Sequence, residues 1–279
     1  AGEAGINFFD TADSYGNPKP TSEPYRGAAL RRHRGRVVIA TKFGRRLDDQ
    51  RFGASPAYVR SATEASLARL QVDRIDLMQL HIPDPATPIT DTLAALADLR
   101  REGKIGEIGC SNVTPAELRA MNAAARDAGL PEFTVVQDEL SMLCRAKGEA
   151  LLNECRASGM AFLPFRPLFN GLLSGKYKPG TPVPAASRIG SKDPARQAAI
   201  LTEANLSRVA TLTRYAADHG HTILDLAFAW LLAQGPIPSV IAGVSTPAQV
   251  ASNARAGTWA LTANQCDEVA DLLDTAVEA

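Results

Sequence analysis

The sequence predicts an α/β fold built on a parallel β-sheet, and three observations support this prediction. Short runs rich in Val, Ile and Leu alternate with longer segments of helical periodicity, which is typical of successive βαβ units. Neighbouring runs are not joined by the short turn sequences of β-hairpins. The chain has 279 residues, and a closed (β/α)8 barrel takes about 250 residues. We therefore predict a single domain, a (β/α)8 TIM barrel, over residues 1–279.

Seven segments have the apolar, β-branched composition of buried strands, and each of the first six leads into a helix. They are Ile6–Asp10, Val37–Lys42, Ile75–His81, Ile105–Gly109, Phe133–Gln137, Met160–Phe165 and Ser239–Gly243. Residues Ala1–Gly5 are typical of a helix end closed by a glycine. Because a closed barrel needs eight strands, we expect its first strand to precede Ala1 and to be absent from this chain.

Composition argues against several classes of partner. Lys plus Arg and Asp plus Glu each number 30, so the formal net charge is zero, unlike the basic surfaces of nucleic-acid binders. The four cysteines show no disulfide or metal-binding spacing, which suits a reducing cytoplasm. No apolar run approaches the roughly 18 residues of a membrane span. We predict a cytoplasmic protein with no metal, nucleic-acid or membrane partner, and the composition carries no signal for an oligomeric state.

Ionisable residues stand at the ends of three predicted strands. Asp10 ends the first, Lys42 the second and His81 the third, while Tyr15 follows Asp10 after a short turn. Each alone would also fit a structural role, such as a helix cap or a packing aromatic. In a (β/α)8 barrel, however, the carboxyl ends of the strands carry the chemistry. The convergence of these four residues at one rim predicts a proton-relay site.

The sequence contains neither of two common nucleotide-binding motifs. No G-x-G-x-x-G follows a predicted strand, which argues against a Rossmann fold. The segment Gly171–Lys176 resembles a P-loop, but its glycine spacing is one residue short and Tyr177 stands where Ser or Thr would bind magnesium. Its small residues still allow backbone amides to approach phosphates.

Several stretches together resemble the aldo-keto reductase family, in the family's order and over nearly the whole chain. They are Gly5–Ala12 through Tyr15-Gly16, Ala40–Gly44, Asp76-Leu77 through His81, Ile108–Asn112, Gln137–Ser141, Gly171–Tyr177 and Gly243–Pro247 through Asn253. The resemblance implies a TIM barrel that binds a nicotinamide cofactor without a Rossmann fold. It also implies an NAD(P)H-dependent oxidoreductase that reduces an aldehyde or ketone to an alcohol, or catalyses the reverse reaction.

The resemblance assigns a role to each of the four rim residues. Tyr15 would be the general acid that protonates the carbonyl oxygen. Because a free phenol is a weak acid near neutrality, Lys42 beside it would favour the phenolate, and Asp10 would hold the lysine in place. His81 would orient and polarise the substrate carbonyl.

The resemblance also implies a cofactor site. Its expected residues are Asp10, then Ser111, Asn112 and Gln137 for the carboxamide, Phe165 and Arg166 at the nicotinamide ring, Leu168, Gly171 and Lys176 near the pyrophosphate, and Gly243, Ser245, Gln249 and Asn253 for the adenosine and its 2′-phosphate. After the sixth strand, Pro, Gly and Ser recur in a segment too long for an ordinary connection. We predict a mobile, cofactor-covering loop over residues 178–200.

Three positions depart from the family pattern. Arg166 replaces the usual serine, Gln249 stands where many members carry an arginine for the 2′-phosphate, and Ser252 replaces the usual acid. Losing a bidentate cation weakens the case for NADPH over NADH. With the rest of the segment intact, the sequence favours NADP(H), with NAD(H) as the alternative.

Two other functions fit the same residues. One is a non-catalytic, cofactor-sensing regulatory subunit, since some family members resemble channel-associated proteins. The other is a barrel aldolase that uses Lys42 as a Schiff-base amine. A tyrosine and an aspartate beside Lys42 favour proton chemistry over nucleophilic attack.

Overall fold

A computed structural model of the protein describes residues 2–16, 18, 21–177 and 180–275. These residues form two compact units. The N-terminal unit comprises Gly2–Asp138 and Ala150–Leu163, and the C-terminal unit comprises Glu139–Glu149 and the described residues from Pro164 onward. The prediction of one domain over residues 1–279 stays a prediction.

Six strands form one sheet in the order in which they occur along the chain. They are β1 Phe8–Asp10, β2 Val38–Phe43, β3 Ile75–Leu80, β4 Ile105–Ser111, β5 Val135–Glu139 and β6 Ala161–Phe165. The registers from β1 to β5 are all parallel. Strands of a parallel sheet are covered on both faces, which is why most residues of β2 and β3 are buried. Six of the predicted strands are therefore confirmed, with ends that differ by one or two residues.

Ten α-helices follow or flank these strands in the described part of the chain. They are α1 Ser22–Leu30, α2 Pro56–Leu70, α3 Ile89–Arg101, α4 Pro115–Asp127, α5 Ala146–Ser158, α6 Pro194–Ile200, α7 Glu203–Asp218, α8 Ile223–Leu232, α9 Pro247–Ala256 and α10 Ala263–Thr275. Helix α4 begins with a complete capping box, in which Thr114 accepts a hydrogen bond from the Glu117 amide and Glu117 accepts one from the Thr114 amide. Short 3-10 helices cover Gly2–Ala4, Arg31–Arg36 and Phe169–Ser174.

The predicted seventh strand, Ser239–Gly243, is wrong as a strand. Only Ile241 pairs there, through a single bridge to Phe165, with its amide 2.9 Å from the Pro164 carbonyl. Pro164 has no amide hydrogen to extend this ladder in one direction. In the other direction Arg166 has a left-handed backbone, with φ of 52°, which ends the extended conformation. Both neighbours of the bridge thus prevent a longer strand.

The predicted loop over residues 178–200 ends in a helix. Lys178 and Pro179 lie outside the described residues. Helix α6 begins where Asp193 accepts a hydrogen bond from the Arg196 amide, at 2.9 Å, and where Pro194 occupies the first helical position. The prediction of a loop is therefore wrong for Pro194–Ile200, and a covering role for the segment stays a prediction.

The helices carry no sign of a membrane span. Among the residues that the structure describes, no helix is both long and apolar enough to cross a bilayer.

Candidate active site

The carboxyl ends of β1, β2 and β3 bring three predicted residues of the N-terminal unit together. In the parallel register, Asp10 pairs with Ala40 and Lys42 pairs with Gln79. The His81 amide extends the ladder by donating to the Phe43 carbonyl at 2.8 Å. Since parallel strands end at the same edge of a sheet, each side chain at these positions faces the same rim.

Lys42 and Asp10 form a buried ion pair. Lys42 Nζ lies 2.7 and 2.6 Å from the two Asp10 carboxylate oxygens and donates a third bond to the Thr11 carbonyl at 2.9 Å. The side chains are only 1% and 6% exposed. All three ammonium hydrogens therefore have acceptors, which is the condition under which a buried charge is tolerated.

Two glutamines complete the surroundings of Asp10. Gln137 Nε2 donates to Asp10 Oδ1 at 2.9 Å, and Gln79 Nε2 lies 3.4 Å from the same oxygen. Gln79 was missed by the sequence reasoning. The feature that could have revealed Gln79 is an amide side chain within the mainly apolar strand β3. Gln79 is buried, and it lies two residues before His81 and therefore on the same face of the strand.

Tyr15 lies between the ion pair and His81. Its ring centroid is 5.0 Å from Lys42 Nζ and 5.6 Å from the His81 ring, which it meets edge-on at 84°. The side chain is 39% exposed, unlike the buried Lys42 and His81. The structure thus gathers all four predicted catalytic residues, with a phenol that solvent or a ligand can reach.

His81 is held as a neutral imidazole. Burial lowers its pKa to about 3, with the charges of Lys42 and Arg45 acting in the same direction. Its Nδ1 lies 3.4 Å from Ser14 Oγ, at the long end of hydrogen-bonding distances. Near neutral pH the ring therefore has one N–H and one lone pair.

Ser111 and Asn112 follow β4 and are tied to the same cluster. Asn112 Nδ2 donates to the His81 carbonyl at 2.9 Å and to Ser111 Oγ at 3.0 Å. Asn112 has a left-handed backbone with φ of 57°. Such a conformation is uncommon outside glycine and recurs at functional sites, where surrounding contacts enforce it.

A second set of predicted residues belongs to the C-terminal unit. Arg166 forms an ion pair with Glu139 at 2.9 Å, and its guanidinium lies 5.9 Å from the Phe165 ring centroid. Leu168 precedes the 3-10 helix Phe169–Ser174, in which Gly171 has φ of 93°.

The Gly171 backbone lies close to a lysine side chain. A Cβ built at Gly171 would come 3.3 Å from Lys176 Nζ, and this side chain is exposed. The absence of a side chain at Gly171 therefore leaves room for the cation. A lysine above a glycine-rich backbone is an arrangement that can accept a phosphate.

The remaining predicted cofactor residues surround the start of α9. Gln249 accepts a hydrogen bond from the Ser245 amide at 2.6 Å, and its own amide donates to the Thr246 side chain, the N-cap of the helix, at 3.3 Å. Asn253 is half-buried one turn further along, and a Cβ at Gly243 would meet nothing within 4 Å. The Gln249 side-chain oxygen is thus engaged with the loop before the helix.

Comparison with known proteins agrees with this geometry. The aldo/keto reductase family model matches residues 1–274. The chain belongs to the aldo-keto reductase family. It is 31% identical over 262 residues to an L-glyceraldehyde 3-phosphate reductase of Escherichia coli, which covers 91% of this chain and 75% of that protein.

Two further relatives are similar over almost the whole of this aldo-keto reductase. An NADH-specific methylglyoxal reductase of Escherichia coli is 33% identical over 300 residues, covering 100% of this chain and 86% of the relative. The solved structure of a glycerol dehydrogenase of Gluconobacter oxydans superposes with a TM-score of 0.83 at 29% identity, covering 99% of this chain and 84% of that one. The predicted fold class, an α/β fold of the (β/α)8 barrel type, is confirmed.

The aldo-keto reductase has hydrogen-bonding atoms that fit a carboxamide. The contacts of Asn112 and Gln137 within the described structure are made by their NH2 groups, and no described donor contacts Asn112 Oδ1 or Gln137 Oε1. Ser111 Oγ accepts from Asn112 and keeps its own hydrogen to donate. One donor and two acceptors match the one carbonyl and two N–H groups of a carboxamide.

A buried acidic network beneath this rim was missed by the sequence reasoning. Glu23 accepts from Thr41 Oγ1 and from Arg69 Nε, each at 2.6 Å. Nearby Asp13 accepts a 3.5 Å contact from the Tyr58 hydroxyl, and its other carboxylate oxygen is buried without a hydrogen bond in the described structure. Burial raises the pKa of Asp13 to about 7, and Glu23 adds to the rise. Only the tertiary fold brings Asp13, Glu23 and Arg69 together, so the sequence gives no local signal.

The described residues contain no candidate metal centre. Within the described ranges, no group of three or more His, Cys, Asp or Glu side chains could hold a metal ion.

Proposed function

We propose that this aldo-keto reductase is an NAD(P)H-dependent oxidoreductase that interconverts an aldehyde or ketone and the corresponding alcohol, with Tyr15 as proton donor. The observation that carries the proposal is the placement of one accessible phenol between a buried lysine and a neutral histidine. A reduced nicotinamide, when bound, supplies the hydride.

Tyr15 protonates the carbonyl oxygen as negative charge develops there. The Lys42 ammonium, 5.0 Å from the ring, stabilises the phenolate that the transfer leaves behind. Asp10 holds Lys42 by two short bonds, so the cation stays in place without moving toward the substrate. Because the pair is buried, its charges are poorly screened by solvent.

His81 orients the substrate. In the tautomer in which Nδ1 accepts from Ser14, Nε2–H is free to donate to the carbonyl oxygen. As a neutral group it polarises the carbonyl without competing with Tyr15 as an acid. Removing one such donor from a developing oxyanion typically costs roughly 100- to 1,000-fold in rate.

We propose cofactor contacts for the predicted residues of each unit separately. Ser111, Asn112 and Gln137 would hold its carboxamide, as the unused donor and acceptors of these side chains support. Lys176 and the exposed start of α9 would bind phosphate groups. NADP(H) is our preferred cofactor and NAD(H) the alternative, since Gln249 brings no positive charge and one relative is named as NADH-specific.

The test is a cofactor titration followed by a carbonyl screen. NADPH and NADH are titrated separately, and the tighter one is used to follow cofactor oxidation with glyceraldehyde, methylglyoxal and larger aldehydes. Turnover with one or more of these carbonyls is the expected result. Tight cofactor binding with no turnover on any carbonyl would instead support the cofactor-sensing subunit. Trapping of a substrate adduct on Lys42 by borohydride would support the aldolase.

A further inference from the structure

A half-buried arginine, Arg26, is anchored to the segment that carries Tyr15. It lies on α1, one turn after Ser22, and its Nε is 3.4 Å from Ser22 Oγ. Ser22 Oγ in turn accepts from Thr11 Oγ1 at 2.8 Å, and the Ser22 amide donates to the Tyr15 carbonyl at 3.2 Å. The guanidinium is thereby tied to the loop between Asp10 and α1.

Arg26 has spare hydrogen-bonding capacity beside the active site. A guanidinium has five N–H donors, and in the described structure only Nε has a hydrogen-bond contact. No described carboxylate forms an ion pair with it. Burial lowers the pKa of Arg26, while Asp10 and Tyr15 act to raise it, which places its charge within electrostatic reach of both. The Asp10 charge is already offset by its two bonds to Lys42.

A second cation, Arg45, lies on the His81 side of the same site. It follows Gly44, which lies beside the segment that carries His81: the His81 amide donates to the Phe43 carbonyl at 2.8 Å, and a Cβ built at Gly44 would lie 3.7 Å from the Ile82 carbonyl oxygen. Arg45 is exposed, and its charge also acts to lower the pKa of His81. The neighbouring arginines of this loop each have a carboxylate partner, since Arg46 pairs with Asp49 and Arg51 pairs with Asp48. Arg45 forms no ion pair with any carboxylate in the described ranges.

We propose that Arg26 and Arg45 form an anion-binding rim around Tyr15 and His81, and that the substrate is a carbonyl compound bearing a phosphate or carboxylate group. The inference rests on the proposed function and adds the substrate class. Among the described residues around the accessible phenol, the Lys42–Asp10 pair and the neutral His81 contribute no net charge, so the two guanidinium groups supply positive charge there. Planar guanidinium groups bind both kinds of anion through paired N–H donors.

The experiment compares matched anionic and neutral substrates. Carboxylate is tested with 4-carboxybenzaldehyde against its neutral methyl ester, and phosphate with glyceraldehyde 3-phosphate against glyceraldehyde. The value of kcat/KM is measured for the wild type, Arg26→Gln, Arg45→Gln and the double variant. Arg46→Gln is the matched control, because it removes a guanidinium of the same loop that is already paired with Asp49.

The wild type is expected to prefer the anionic member of at least one pair, and the preferred pair identifies the anion. Each rim variant should reduce that preference, by roughly 10- to 100-fold for Arg26→Gln, the range expected for a charge-assisted hydrogen bond. The loss of preference should appear mainly as a higher KM for the anionic substrate. Added salt should reduce the preference of the wild type in the same way. The Arg46→Gln variant should keep the wild-type preference.

Three results would overturn the inference. One is a wild type that reduces neutral aldehydes as well as anionic ones. Another is a set of rim variants that lose activity equally on both members of a pair, which would indicate damage to the scaffold. The third is an Arg46→Gln variant that loses as much preference as Arg26→Gln. Failure of the wild type to reduce any carbonyl would instead refute the proposed function itself.

Discussion

The buried Asp13 gives the sharpest prediction, because its environment opposes its charge. The side chain is only 1% exposed, one oxygen has no hydrogen bond among the described residues, and Glu23 lies nearby. Replacing Asp13 by Asn keeps the shape and an acceptor for the Tyr58 hydroxyl but removes the ionisable group. The difference in unfolding free energy between variant and wild type should therefore shift in favour of the variant as the pH rises from acid to alkaline.

The magnitude follows from the pKa. Burial raises the pKa of Asp13 from 3.8 to about 7. A group with a raised pKa in the folded state stabilises the fold fully below the unfolded value, and this contribution is lost as pH rises through the folded value. One unit of pKa corresponds to about 1.4 kcal/mol, so the unfolding free energy lost between the two pKa values is about 4 kcal/mol. Most of it, about 3 kcal/mol, is lost between about pH 5 and pH 8.

The assay is urea denaturation of the wild type and Asp13→Asn at about pH 5 and pH 8. The difference in unfolding free energy between variant and wild type should shift by about 3 kcal/mol in favour of the variant between the two pH values. Asp49→Asn is the control, since the Asp49 side chain is fully exposed and its removal should leave the pH dependence unchanged. A shift below about 1 kcal/mol for Asp13→Asn would refute the reasoning.

Two further predictions concern the rim. Asp10→Asn leaves the buried Lys42 without its counter-charge, so urea denaturation should show a loss of about 3–5 kcal/mol, and a loss below about 1 kcal/mol would contradict the buried pair. His81 stays neutral above its pKa of about 3, so the wild-type rate between about pH 5 and pH 9 should show no transition near 6.5. A transition near that value that disappears in His81→Gln would contradict the neutral imidazole.

Much of the fold follows from local patterns in the sequence. Six strands were predicted because runs such as Met160–Phe165 are apolar on both faces, and helix starts such as Thr114 carry recognisable caps. The seventh segment, Ser239–Gly243, has the composition of a strand, but strand formation also needs a partner. Pro164 lacks the amide and Arg166 lacks the extended backbone that a ladder requires. This failure lies in the partner strand, so composition alone does not reveal it.

The residues of the candidate active site divide in the same way, into those that local sequence predicts and those that it does not. Asp10, Lys42 and His81 were predictable because each ends a buried strand, and the sheet places strand ends at one rim. The proposed role of Arg26 was not predictable, since an arginine in the middle of an amphipathic helix usually lies on the solvent-exposed face. Its contact with Ser22, and the contact of Ser22 with Tyr15, appear only once the loop is folded against α1.

The central claim is that Tyr15 donates the proton in carbonyl reduction. Its most direct test is the rate of reduced-cofactor oxidation by Tyr15→Phe with the best aldehyde, measured together with cofactor affinity. The ring and its packing against Lys42 and His81 remain in this variant, and only the hydroxyl is lost. We expect a rate lower by roughly 100- to 10,000-fold with cofactor affinity nearly unchanged. A variant that keeps a rate within about tenfold of the wild type would contradict it.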